Sequence, residues 1–327
     1  FAADINVTDI WDDYTGAGVV VGIIDDGIDY NHSDLAFNYR HDLDFDAIDL
    51  DDDAFASGDL DYHGTAVAGI VGATFGGGDA VGVAPDVDLT AFRIGFGFEG
   101  TDEQTVLALQ KMQNVDIVNN SWGYDEFFID NKNDADAAPF FDAISDALTL
   151  GRDGLGTIIT FAAGNEAEIG DNVNYHSLAN TPVTIAVGSY GQNGDASLFS
   201  TPGAAVLVSA PGEEIYTTDV TGVAGYNTGD YEPFFSGTSA ATPIVTGVIA
   251  LMLEANPNLG YRDVQEILAY SSVNPTELDT GWQINGANNW NGGGLTVSDQ
   301  FGFGGVDAHA AVRLAETWVT QRTATNV

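Results

Sequence analysis

The chain has 327 residues, 44% of them hydrophobic, with 40 glycines and no cysteine. That is enough to bury a sizeable core, and it excludes disulfides, thiol catalysis and cysteine-ligated zinc. Its 49 acidic side chains face 8 basic ones, a net charge of −41 that makes nucleic acid and anionic membranes poor partners and suits cations and saline water. No stretch reads as long and apolar enough to cross a membrane. Phe1 opens directly in folded-looking sequence, so any export leader is expected to have been removed.

In chain order, "GVVVGIID" (18–25) is an apolar, β-branched run that predicts a buried strand, and Asp25-Asp26-Gly27 closes it. "DLDFDAIDLDDD" (42–53) follows, with carboxylates so dense that their repulsion calls for a counter-ion; calcium suits such hard oxygen donors. A helix is expected over 63–73, entered through Asp61-Tyr62-His63-Gly64. Strands are expected at 87–94, 115–122, 156–164, 183–190 and 204–211, with helices at 101–114 and 138–150 between them. Gly164-Asn165-Glu166 ends the strand at 156–164. Helices are then expected at 239–255, 261–271 and 306–320, and the Gly- and Asn-rich stretch 285–300 reads as an insert.

Continuous apolar strands separated by helices predict a doubly wound α/β fold, with a mostly parallel central sheet covered on both faces. No repeat or long linker divides the chain, so 1–327 reads as one domain. In such sheets the active site lies beyond the carboxyl ends of the strands. An acid (Asp25), an imidazole (His63), an amide (Asn165) and a hydroxyl (Ser239) all fall there.

Singly, each has a bland role. Ser239 could cap its helix, with Pro243 suited to an early helical position; Asp25 and Asn165 could close turns, and His63 could be a cap. Together they fit acyl transfer. Ser239 attacks, His63 takes its proton, and Asp25 holds the imidazole. The Asn165 side-chain amide and the Ser239 N–H stabilise the oxyanion. A lipase or esterase would need G-x-S-x-G, which Gly237-Thr238-Ser239-Ala240-Ala241 lacks. The five histidines show no H-E-x-x-H zinc pattern.

"VVVGIIDDGIDYNHSDL", "DYHGTAVAGIVGA", "NNSWG", "TFAAGNE" and "FSGTSAATPIVTGVIALMLEANP" resemble the sequence blocks of subtilisin-like serine proteases, in that family's order of Asp, His, Asn and Ser. "DDGID", "GRDGLGTI", "LEANPNLGYRDVQEIL" and "FGFGGVDA" are similar to its kexin and furin branch. The resemblance runs from residue 4 to residue 318. It implies a secreted serine endopeptidase of bacterial type, in which Asp25, His63 and Ser239 form the triad and Asn165 the oxyanion donor. Ser121, Trp122 and Gly123 would pair with substrate backbone as an added strand. The branch cleaves after basic residues, and the resemblance places Asp26, Glu126 and Asp171 on its acidic subsites. Glu99 and Tyr175 fall on a more distant one, and Asn174 stands for a missing second pocket carboxylate. Asp34 falls on one structural calcium site, and Asp46, Asp51 and Asp53 on another; Gly76 to Gly78 stand where the family offers an Asn ligand, leaving Asp79 and backbone carbonyls. The resemblance further implies a cis Thr181–Pro182 bond, protein or peptide substrates, a propeptide, and a C-terminal β-rich domain beyond this chain. A non-catalytic, acidic, calcium-stabilised extracellular module on the same scaffold is the competing reading.

Overall fold

The structure, a computed structural model, describes residues 4–276, 281–287 and 293–326; part of the expected insert, 288–292, lies outside them. The first half holds β1 (Val20–Asp25), β2 (Phe45–Asp46), α1 (His63–Gly72), β3 (Asp88–Arg93), α2 (Asp102–Leu109), β4 (Ile117–Asn120) and α3 (Ala138–Leu150). There follow β5 (Ile158–Ala162), α4 (Ser177–Asn180), β6 (Thr184–Tyr190), β7 (Val206–Pro211), β8 (Ile215–Thr218) and β9 (Tyr231–Phe235). The chain then forms α5 (Thr238–Ala255), α6 (Tyr261–Ser271), β10 (Gln283–Ile284), β11 (Thr296–Val297) and α7 (Ala308–Thr317).

Seven strands form one sheet in the order β2-β3-β1-β4-β5-β6-β7. Every pairing within it is parallel, as the near-continuous apolar runs require. α5 packs against β4 to β7 and against both α1 and α7. α2 and α3 pack against each other. The core lies between these layers; Val21, Ile23 and Ile24 of β1 and Val245, Val248, Ile249 and Leu251 of α5 are fully buried.

Several expectations shift. The helix expected over 101–114 stops at Leu109 and gives way to a single 3-10 turn, because Met112 must bury before the chain enters β4. Thr101 and Gln104 close a capping box at its start. The hairpin β8–β9 escapes sequence patterning, since Pro233 argues against a regular strand. It nonetheless clamps α1: the Thr217 and Thr218 hydroxyls donate to the carbonyls of Ala66 and Thr65. The 18-residue α5, with mean hydropathy 1.4, is long and apolar enough to span a membrane, contrary to expectation; at 89% buried it is the core helix of this fold. The Thr181–Pro182 bond is trans, like every peptide bond among the described residues. An extended Thr181 (ψ 145°) ends α4, the conformation a residue before proline favours.

Candidate active site

β1 ends at Asp25, and α1 begins at His63 directly beside it. A Cβ on Gly64 would lie 2.3 Å from the Gly27 carbonyl oxygen, so only glycine lets the helix start this close to the strand. The two oxygens of Asp25 accept from His63 Nδ1 at 2.9 and 3.0 Å. Asp25 is buried, while 26% of the imidazole stays exposed. The pair therefore has one end buried in the protein and the other partly open to solvent.

Asp26 holds the same corner from below. Its oxygens accept the backbone N–H of His63 at 3.0 Å and of Gly64 at 2.7 Å, supplying the cap that Tyr62 at the helix start does not. Burial, then the neighbouring charge of Asp25, pushes the Asp26 carboxyl up to about 8. For His63, burial pulls downward, but the charge and hydrogen bond of Asp25 and the charge of Asp26 outweigh it and raise the imidazole to about 9.

Ser239 lies in the first turn of α5, 8% exposed. Its hydroxyl donates to the Ser121 carbonyl at 2.8 Å, and the Ser121 hydroxyl donates back to the Ser239 carbonyl at 3.1 Å. This exchange ties the hydroxyl to the segment 121–123, which leaves the sheet after Asn120 and is paired in no ladder. Asn165 Oδ1 accepts from both the N–H and the hydroxyl of Thr238, at 2.9 and 3.0 Å. The amide orientation is thereby fixed with Nδ2 as the outward donor.

A cavity of about 160 Å³ starts at Ser239, Asn165 and Ser121–Gly123 and runs inward between Phe161–Gly164 and Leu178–Ala179. Asp125, Asp130, Glu166, Asp171 and His176 also line it. Asp171 belongs to it as expected, but both its oxygens contact His176 Nε2, at 3.0 and 2.9 Å. Burial raises the Glu166 carboxyl above the usual range, against the opposing Asn165 N–H. Glu126 is exposed and off the cavity wall; Asp125 and Asp130 stand there instead. Asn174 is exposed too, and His176 takes the position expected of it. The first difference arises because the loop after Gly123 is long and turns Asp130 inward, while Phe127, Phe128 and Ile129 stay exposed. Glu99 is exposed on the loop after β3, and Tyr175 packs on Phe127 and Phe128.

The four expected metal ligands divide. Among the described residues no three acidic or imidazole side chains gather as a ready cage. Asp46 is committed to Arg93 at 2.6 Å, and its other oxygen accepts the Ile48 and Asp49 amides. Asp51 and Asp53 line an open pocket with Asp46, Asp49 and Tyr30; the Tyr30 hydroxyl donates to Asp53 at 2.7 Å. Asp34 is fully buried with no basic partner among the described residues; it accepts from the Ser33 hydroxyl and the Ala80 N–H, and the Tyr231 hydroxyl bonds to it as well. A Cβ on Gly78 would lie 2.4 Å from Asp34 Oδ1, which explains glycine where a side-chain ligand was expected. A buried, unpaired carboxylate under a close-fitting loop fits a cation, as do Asp51 and Asp53; Asp46 does not.

Fold and site together define a class: a doubly wound parallel α/β chain that brings Asp, His, Asn and Ser, in that order, to one end of its sheet. Residues 16–304 match the profile of the subtilase family, and the chain belongs to that family. It is 34% identical to kexin of Saccharomyces cerevisiae over 97% of its own length and 38% of kexin. It is 35% identical to furin of Homo sapiens, covering 97% of this chain and 39% of furin. The chain thus spans about two fifths of these relatives. Among solved structures, the serine protease of Aeromonas sobria aligns with TM-score 0.81 at 23% identity, over 94% of this chain and 62% of that one. A cold-adapted subtilisin-like serine proteinase aligns with TM-score 0.64 at 28% identity, over 81% of this chain and 86% of that one.

Proposed function

We propose that this chain is the catalytic domain of a secreted serine endopeptidase that hydrolyses peptide bonds through an acyl-enzyme and favours basic residues before the scissile bond. The observation that carries the reading is the Asp25–His63 pair at the same end of the parallel sheet as Ser239, together with an Asn165 amide whose orientation Thr238 fixes. Ser239 Oγ turns from the Ser121 carbonyl to His63 and attacks the substrate carbonyl as His63 takes its proton. Asn165 Nδ2 and the Ser239 N–H hold the oxyanion. His63 then passes the proton to the leaving amine and later activates the hydrolytic water. Substrate backbone pairs with Ser121, Trp122 and Gly123 as an added strand, a mode open to them because they belong to no ladder.

The basic preference is supported by the acidic cavity and by similarity to kexin, furin and a dibasic-processing endoprotease of Yarrowia lipolytica. Asp26 spends both oxygens on the backbone amides of His63 and Gly64, so it supports the site by placing the start of α1 rather than by contacting substrate. Calcium would be held by Asp34, and by Asp51 with Asp53, where it neutralises carboxylates and fixes loops. Partners beyond peptide substrates are a propeptide and a following β-rich domain; a net charge of −41 suits a saline extracellular setting. A serine-directed fluorophosphonate tests the proposal. It should label wild type at Ser239 and leave Ser239→Ala unlabelled. An unlabelled wild type that still binds peptides would make this a binding module instead.

A further inference from the structure

The chain has only 8 basic side chains, and all of them lie among the described residues. Nearly all are engaged in the fold. Arg93, Arg262 and Arg313 belong to β3, α6 and α7, where ladders or helical bonds fix the backbone. Arg40 is forked onto Asp42 at 2.8 Å and reaches Asp88 at 2.9 Å. Arg152 donates to the carbonyls of Gly156, Leu259 and Pro257, and Arg322 pairs with Glu266. The Lys111 ammonium lies 3.9 Å from the centre of the Phe45 ring. Lys132 alone is exposed, and no ion pair engages it among the described residues.

Lys132 sits in the loop between β4 and α3, where that loop comes free of the fold. Up to Asp130 the loop is zipped onto the segment 172–178. The Phe128 N–H donates to the Tyr175 carbonyl at 3.0 Å, and buried Asp130 accepts the Leu178 N–H at 2.6 Å. From 132 to 136 every residue is exposed. The Lys132 N–H reaches Ser177 Oγ at 3.4 Å. Its neighbours bond within the loop: the Asn131 N–H donates to the Phe128 carbonyl at 3.2 Å and the Asp134 N–H to the Asn131 carbonyl at 2.9 Å. Opening such turns costs little beside unravelling a helix or a strand. Exposed loop tips are where proteolytic nicks concentrate.

We infer that the Lys132–Asn133 bond is a self-cleavage site, cut in one copy of this chain by the active site of a second copy. The inference rests on the proposed endopeptidase reading and its preference for a basic residue before the scissile bond. Lys132 is the basic residue that can be offered as an added strand along 121–123 of another molecule. It cannot be offered to its own site, because the seam at 128–130 ties the preceding residues to 172–178. Hydrolysis breaks the bond between the Lys132 carbonyl carbon and the Asn133 nitrogen. Water supplies the hydroxyl that leaves Lys132 a carboxyl and the proton that leaves Asn133 an amine. Charge governs the rate, since each copy carries −41. Repulsion between copies reaches about 30 Å at about 0.01 M salt and about 3 Å at about 1 M, so salt lets them meet. The cut falls between β4 and β5, which pair in the sheet, so the two pieces stay assembled.

The test incubates wild type with the inert Ser239→Ala chain as substrate and reads fragments by intact mass under denaturing conditions. One fragment should end at Lys132 and the other begin at Asn133, at a rate proportional to wild-type concentration. Relative to turnover of a lysine peptide in the same buffer, nicking should rise about tenfold or more between low and high sodium chloride. Lys132→Gln in the substrate chain should slow it about tenfold or more, the scale of one lost charge-assisted hydrogen bond. The same change in wild type should leave peptide turnover unaltered. Peptide turnover without a cut, or with first cuts at other residues, would overturn the inference and leave the hydrolytic reading standing. Nicking that falls with salt on the same relative scale would overturn it too. Trypsin reads the site without this chain's own chemistry, and its first cut in the Ser239→Ala chain should follow Lys132; a first cut elsewhere counts against the inference. No peptide turnover by wild type, with trypsin still cutting first after Lys132, would sink hydrolysis and self-cleavage together while keeping Lys132 as the accessible bond.

Discussion

Asp25 and Asp46 lie in one row of the sheet, on either side of Arg93: β1 pairs Asp25 with Arg93, and β2 pairs Asp46 with Arg93. Both carboxylates are 1% exposed. Their fates differ because their partners differ. Asp46 faces the Arg93 guanidinium, which also reaches Asp61 at 2.6 Å and donates from Nε to the Asp26 carbonyl. That cation does not titrate in the accessible range, so the cluster acts as a fixed rivet between β2, β3 and the segment before α1. Asp25 turns to His63, whose charge does titrate. One row of a sheet thus holds a permanent ion pair and a switchable one, and only the second has a partner well exposed to solvent.

The largest effect that would break this comparison is on chemistry. Ser239→Ala or His63→Ala should each lower kcat about 10⁶-fold, since such residues act as a unit. Neither should alter the urea midpoint appreciably; retained turnover in Ser239→Ala would end the assignment. Arg93→Met should behave oppositely. Stripping a buried carboxylate of its partner should cost about 3–5 kcal/mol in urea unfolding, with little change in activity per folded molecule. An Arg93→Met protein as stable as wild type would show that Asp46 needs no rivet.

Next in size, Asn165→Ala removes the proposed oxyanion donor and should lower kcat about 10²–10³-fold with KM nearly unchanged. Comparable loss in KM would give Asn165 a binding role instead. Calcium sharpens the contrast between Asp46, which has a cation, and Asp34, Asp51 and Asp53, which do not. After chelation, restoring calcium at about a hundredfold excess over Kd should recover about 2.7 kcal/mol of stability. Matched ionic strength as sodium chloride should recover less, and Asp51→Asn with Asp53→Asn should weaken the calcium response. Full recovery by sodium would reduce these carboxylates to solvated surface.

The smallest effect concerns pH. The base must be neutral to act, and His63 is raised to about 9, so kcat/KM should climb through an alkaline limb above the ordinary histidine range. The charge of Asp26 contributes to that rise. Asp26→Asn should therefore move the limb toward acid, and a limb that moved the other way would contradict the electrostatics.

The expected strands at 18–25, 87–94, 115–122, 156–164, 183–190 and 204–211 each contain an observed strand of the parallel sheet. Buried strands and helices announce themselves by apolar runs, and the candidate acid, base, amide and nucleophile sit at their ends, where local sequence places them. The order Asp25, His63, Asn165, Ser239 was therefore legible before any coordinates. The pocket was not. Whether Glu126 or Asp130 faces the cavity depends on how an inserted loop folds back on residues 172–178, and no local pattern carries that. Nor does sequence show that Asp46 is taken by Arg93 while Asp34 stays unpaired, because all are carboxylates in one acidic chain. Periodicity and chain order determined the fold and the candidate reactive set, since both arise from burial along contiguous elements. Only the tertiary structure decided which charges meet, because pairing joins residues far apart in the chain and turns on distances of a few ångströms.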